Sequence, residues 1–128
     1  MERANSDSLL MLQIEHIDAV NNIDDILSVE GIDGTYIGPY DLSSSMGMPG
    51  QLNHPDVVEA MERVLRATMV RGLAPGIHLV HSEMARDALR EHVARGFRFI
   101  ALGTDILFLG DSARDMHTAA RQTLKTEA

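Results

Sequence analysis

Cysteine and tryptophan are absent from this chain, and its aromatic residues are limited to two tyrosines and three phenylalanines. Without cysteine there is no disulfide framework and no thiolate metal site, which excludes stapled secreted scaffolds and zinc-finger-like modules. A cytoplasmic location is the default expectation. No apolar run approaches the roughly 20 residues of a membrane span. The first seven residues, Met1 to Asp7, are polar and do not look like a signal peptide. Positive charge is also scarce, with 11 Lys and Arg against 19 Asp and Glu and a formal charge of −8. That balance argues against a nucleic-acid or anionic-membrane surface. An anionic substrate would need a local positive centre, which a bound cation supplies.

What remains is an ordinary globular composition, 45% hydrophobic and 23% charged, so neither disorder nor a coiled coil is indicated. At 128 residues the chain is one domain's worth, short of the roughly 250 that a closed α/β barrel takes. Strand-like runs alternate with helix-like ones. Strands are expected over 9–14, 35–37, 74–80 and 97–102. The first helix is expected over 18–28, with Ile17, Val20, Ile23 and Leu27 at helical spacing. Residues 41–51, with three serines, two glycines and a proline, read as a loop with one short helical turn. His54-Pro55-Asp56 opens a helix to about Arg71, ended by Gly72. Ser82 caps another that Gly96 stops, and Asp111-Ser112 begins a terminal helix. Short strands that are apolar throughout, separated by helices, mark a parallel α/β sheet covered on both faces. The reading is four consecutive βα units with no internal linker or repeat.

Two carboxylates stand out. Glu15 follows Leu9-Leu10-Met11-Leu12-Gln13-Ile14, and Asp41 follows Thr35-Tyr36-Ile37 through a Gly38-Pro39 turn. Each ends a strand, and one helix-length segment separates them. Parallel strands joined by a helix end on the same side of a sheet, so both carboxylates project from its C-terminal edge. Two acidic oxygens there suit a hard divalent cation with positions left open for water and substrate.

These residues resemble those of the HpcH/HpaI aldolase family. The resemblance is carried by Arg3-Ala4-Asn5, Gln13-Ile14-Glu15, Gly31-Ile32-Asp33-Gly34, Ile37 to Ser43, Ala74 to His78 and Phe97 to Asp105. The Gln-Ile-Glu and Gly-Pro-Tyr-Asp-Leu-Ser motifs, with their carboxylates 26 positions apart, are specific as a pair. The family comprises metal-dependent class II pyruvate aldolases that cleave 2-keto-4-hydroxy acids and 2-keto-3-deoxy sugar acids. The resemblance implies a single partial domain over 1–128, the second half of a (β/α)8 TIM barrel. It implies that Glu15 and Asp41 ligate Mg²⁺, Mn²⁺ or Co²⁺. It further implies that the Tyr40 and Asp41 amides hold the keto acid's carboxylate, that Gln13 touches substrate, and that Leu79 shapes the aldehyde side. The family's catalytic arginine and histidine–aspartate base belong to the barrel's first half, so none of these 128 residues takes their roles. The expected partners are a small 2-keto acid and either a second copy or a first-half fragment, with no nucleic acid or membrane.

Other residues read more plainly. His16 suits the opening of a helix better than a metal ligand, and a base role for His78 or His81 is disfavoured by the resemblance. Asp105 fits a pocket support or a helix cap. Arg86, Asp87, Arg90, Glu91 and Arg95 read as a solvated helix face, and the methionines as packing. The rival functions are a citrate-lyase-β-like or malyl-CoA-type lyase, and a non-catalytic half-barrel.

Overall fold

The computed structural model describes residues 7–80 and 82–126, with backbone alone for 82–87 and 126. Four strands, β1 (Met11–Ile14), β2 (Gly34–Ile37), β3 (Ala74–Leu79) and β4 (Phe99–Leu102), form one parallel sheet. They pair in chain order, β1-β2-β3-β4. Among the described residues six helices accompany the sheet: α1 (Ile17–Asn21), α2 (Ile23–Ile26), α3 (Pro39–Ser45), α4 (Pro55–Val70), α5 (Ser82–Arg95) and α6 (Asp105–Thr126). A sheet whose right-handed crossovers all step the same way places its helices on one face, as in an arc of a (β/α)8 barrel.

Strand register sorts the side chains by face. Ile14, Ile37, Ile77 and Ile100 are partners in turn across the four strands. The first three are at most 3% exposed and, with Val20, Ile23, Leu42, Val64, Leu65 and Phe97, form the core beneath the helices. Thr35 Oγ1 and Thr68 Oγ1 meet within that core at 2.9 Å. Thr68 gives its proton to the Val64 carbonyl, so Thr35 is the donor between the two hydroxyls. The alternate residues Gln13, Tyr36, Gly76 and Phe99 form the opposite ladder. Gln13 is exposed there and Phe99 is 42% exposed. The expectation of a sheet covered on both faces thus holds for one face of the described residues. The apolar runs that prompted it are those of a barrel strand, whose inner face is meant for other strands.

Three local expectations change. The helix expected over 18–28 divides at Asn22, whose side-chain amide takes the Asp18 carbonyl (3.0 Å) in competition with the backbone. The serine-rich stretch is helical from Pro39, and its hydroxyls stay within the helix: Ser43 and Ser44 donate to the Tyr40 carbonyl and Ser45 to that of Leu42. The terminal helix starts at Asp105, six residues early, where the Asp105 carboxylate accepts the Ile106 N–H at 2.7 Å. His16 and His54 both cap helices, each Nδ1 accepting the N–H two residues on. Arg95 is not solvated like its helix neighbours: it is ion-paired with Glu62 of α4 and lies over the Phe97 ring.

Candidate functional site

Glu15 is the first residue beyond β1, on the face that the helices leave bare. Gln13 sits two residues earlier on that face, and its Nε2 donates to Glu15 Oε2 at 2.5 Å. One strand over, the Gly38 N–H extends the ladder by bonding the Ile14 carbonyl at 3.2 Å. A Cβ on Gly38 would lie 3.2 Å from both Cβ and Oε2 of Glu15 and 3.4 Å from Gln13 Nε2. Glycine therefore keeps the space beside the Glu15 carboxylate open.

Pro39 then starts α3, which puts Asp41 in its first turn. Adjacent strands lie about 4.8 Å apart, so Glu15 and Asp41 occupy neighbouring strand ends at one edge of the sheet. Ser45 fastens the two segments together, its Oγ accepting the Ile17 N–H at 3.0 Å. Glu15 is half-buried and Asp41 exposed. No lysine or arginine occurs from Ala4 to Glu62, so the segments that build this edge carry negative charge alone.

That arrangement fits a hard divalent cation. The donors are carboxylate oxygens, the glycine leaves room at one of them, and the charge calls for a counter-ion. Among the described residues no group of three or more His, Cys, Asp or Glu side chains converges on a metal position. A cation here takes two protein carboxylates at most and draws its other ligands from water and substrate.

The remaining candidates divide. Tyr40 stands beside Asp41 in α3 and lines a cavity of about 530 Å³ together with Pro39, Asn53, Leu79 and His92. Leu79 follows the Ile77 side of β3 and packs against the core. The structure brings Gln13 and Glu15 together and sets Asp41 at the next strand end, and it parts Leu79 from them. Sequence reasoning passed over Tyr36, which shares the Gln13 face; strand alternation, once the register is known, is the signal that finds it. Tyr36 stacks on His78 (5.9 Å between centroids, 28°) and meets Phe99 edge-on at 5.6 Å. Burial raises the Tyr36 pKa above its ordinary value. Asp105 is the first residue of α6, where its carboxylate accepts the Ile106 N–H. His81 and the Arg3-Ala4-Asn5 motif lie outside the described residues.

Comparison with known proteins agrees with this fold. Residues 1–111 match the HpcH/HpaI aldolase/citrate lyase family. The chain is 39% identical over 112 residues to the 2-keto-3-deoxy-L-rhamnonate aldolase of Escherichia coli strain K12, covering 88% of itself and 40% of that protein. Its fold superposes on an HpcH/HpaI aldolase/citrate lyase family protein from Burkholderia cenocepacia J2315 with a TM-score of 0.82 and 32% identity, over 94% of this chain and 45% of the other. An HpcH/HpaI aldolase from Desulfitobacterium hafniense DCB-2 gives 0.81 and 32% over the same shares. The chain thus spans about two fifths of the curated relatives it matches and under half of these solved structures.

Proposed function

The chain belongs to the HpcH/HpaI aldolase/citrate lyase family, and from that premise we propose that it carries the cation- and keto-acid-binding side of a class II pyruvate aldolase. The reaction is retro-aldol cleavage of a 2-keto-4-hydroxy acid to pyruvate and an aldehyde. The observation that carries the reading is the Gln13–Glu15 pair opening onto Gly38, with Asp41 at the adjoining strand end.

Glu15 and Asp41 would hold Mg²⁺, Mn²⁺ or Co²⁺. When bound, the cation polarises the 2-keto group and offsets the negative charge that develops as the C–C bond breaks. Gln13 fixes the rotamer of Glu15 by donating to Oε2. The amides of Tyr40 and Asp41 lie in the first turn of α3 and suit a carboxylate. Leu79 contributes through the wall it shares with Tyr40 rather than beside the cation. Deprotonating the 4-hydroxyl requires groups beyond this set, so turnover is expected with the complementary half of the barrel present. Among the described residues no helix is long and apolar enough to cross a membrane.

Mn²⁺ binding followed by water-proton relaxation tests the site directly. Glu15→Ala and Asp41→Ala should each lower affinity by about 100-fold or more, beyond what losing a hydrogen bond to a ligand costs. Pyruvate should tighten Mn²⁺ binding to the unsubstituted chain, and lactate, which lacks the keto oxygen, should not. Unchanged affinity in both variants would remove the assignment. The bare sheet face and the open edges of β1 and β4 also lead us to expect that these 128 residues associate when produced alone. Light scattering from a stable monomer at micromolar concentration would contradict that expectation.

A further inference from the structure

The Ser45 hydroxyl works in two directions. It donates to the Leu42 carbonyl at 2.7 Å, inside α3, and accepts the Ile17 N–H at 3.0 Å from the segment that follows β1. A carbonyl only accepts and a backbone N–H only donates, so the direction of each bond is fixed. Ile17 is the first residue of α1, where an N–H has no partner inside its own helix. The His16 cap takes the Asp18 N–H instead, and the Ser45 oxygen meets the need that α1 leaves open. Where this bond falls is its most informative property. The Gly38 N–H bonds the Ile14 carbonyl at 3.2 Å. Glu15 lies in the chain between Ile14 and Ile17, and Asp41 between Gly38 and Ser45. Two hydrogen bonds between the same two segments thus bracket the two carboxylates, one on either side. Asp41 and Ser45 are also one helical turn apart in α3, at i and i+4, so they share a face of it. With the Gly38 bond alone, α3 is free to pivot and change the gap between the carboxylates. The Ser45 bond closes a ring and removes that freedom.

We propose that Ser45 is a positioning residue for the cation site: by tying α3 to the start of α1, it holds the Glu15 and Asp41 carboxylates at a spacing that favours a small divalent cation over a large one. The inference rests on the cation reading above and adds to it the choice of ion. Mg²⁺ demands near-octahedral oxygens at about 2.0–2.1 Å, whereas Ca²⁺ takes them at about 2.3–2.6 Å in flexible arrangements. Both ions carry the same charge and would meet the same two carboxylates, so geometry is what is left to tell them apart. Ligands on segments that slide past one another suit the larger ion as well as the smaller. Ligands clamped on both sides do not. The tie stands apart from the packing that holds the sheet: Ser45 is half-buried, and the core beside it is made by Ile14, Ile37 and Leu42. Its loss should therefore register at the site more than in the fold.

The test measures Mn²⁺ affinity by water-proton relaxation and the affinities of Mg²⁺ and Ca²⁺ by displacement of Mn²⁺. Ser45→Ala removes the acceptor and suits a helix, so Mg²⁺ and Mn²⁺ should bind it about 10-fold more weakly, the low end of what losing such a support costs. Ca²⁺ should lose clearly less. Ser45→Thr keeps the oxygen and should restore the preference for Mg²⁺ over Ca²⁺. A serine that only stabilised the fold would lower resistance to urea without moving the ratio of the two ions. In the unsubstituted chain, linkage requires the converse effect. Mg²⁺ should slow hydrogen exchange at the Ile17 amide by a similar factor, and by more than Ca²⁺ does at equal occupancy. The Leu10 amide, bonded to the Asp33 carboxylate at 2.7 Å beyond the other end of β1, should not change. That readout does not depend on how a variant folds. An unchanged Mg²⁺-to-Ca²⁺ ratio in Ser45→Ala, or Ile17 exchange that ignores Mg²⁺, overturns the role of Ser45. If Mn²⁺ binding then still falls in Glu15→Ala and Asp41→Ala, the cation reading stands. Absence of Mn²⁺ binding to the unsubstituted chain overturns both.

Discussion

The two faces of the four-stranded sheet are built from alternate residues of the same strands, yet they serve opposite ends. On the helix side, Ile14, Ile37 and Ile77 are sealed under α1, α2 and α4, and the buried hydroxyls of Thr35 and Thr68 satisfy one another. On the other side, Gln13, Tyr36, His78 and Phe99 keep partial contact with solvent, and the polar groups among them point to chemistry. One residue's shift along a strand therefore moves a side chain from the stabilising face to the reactive one. The contrast teaches where substitutions should act on folding and where they should act on ligands.

The largest expected effect on stability is on the covered face. Ile37→Ala removes a fully buried side chain and should cost about 2–5 kcal/mol in urea unfolding. Phe99→Ala on the bare face, starting from 42% exposure, should cost clearly less. Equal losses would show that the bare face is packed in solution. A smaller effect is expected at the buried hydroxyl pair. Thr68→Val strands the Thr35 proton and should cost about 1–3 kcal/mol, whereas joint replacement of Thr35 and Thr68 by valine should restore most of it. Failure of the double variant to recover would mean that the hydroxyls do more than satisfy each other. The smallest effect is on the bare face and depends on pH. With its pKa raised by burial, Tyr36 keeps its proton to higher pH in the folded chain than in the unfolded one. Its contribution is complete below the unfolded value of about 10 and is lost as the pH climbs through the folded value. Tyr36→Phe should flatten that alkaline loss, measured by unfolding at a series of pH values about 10.

Much of the fold is legible in the residues. The Ile-rich strand ends, the His-Pro-Asp opening of α4 and Gly72 and Gly96 after their helices carry local signals that any context would honour. The carboxylate pair is legible for the same reason, since parallel strands separated by a helix must end at one edge. Less legible were the division at Asn22 and the helical serines of α3, where side chains compete with or reinforce the backbone over distances that composition does not reveal. Leu79 and His78 show the limit most plainly. They are adjacent in sequence, both close to the end of β3, and only the register with β2 and β4 tells which one faces Gln13.

Sequence alone determined the alternation of strand and helix, the parallel sheet and the negative charge at its edge, because each follows from local preference or from chain order. The tertiary structure decided which face each strand residue takes, how Gly38 makes room beside Glu15, how Ser45 ties α3 to the segment after β1, and how Gly103 orients His78. Those depend on register and close approach between segments tens of residues apart, where a shift of a single residue or a single methyl group reverses the outcome.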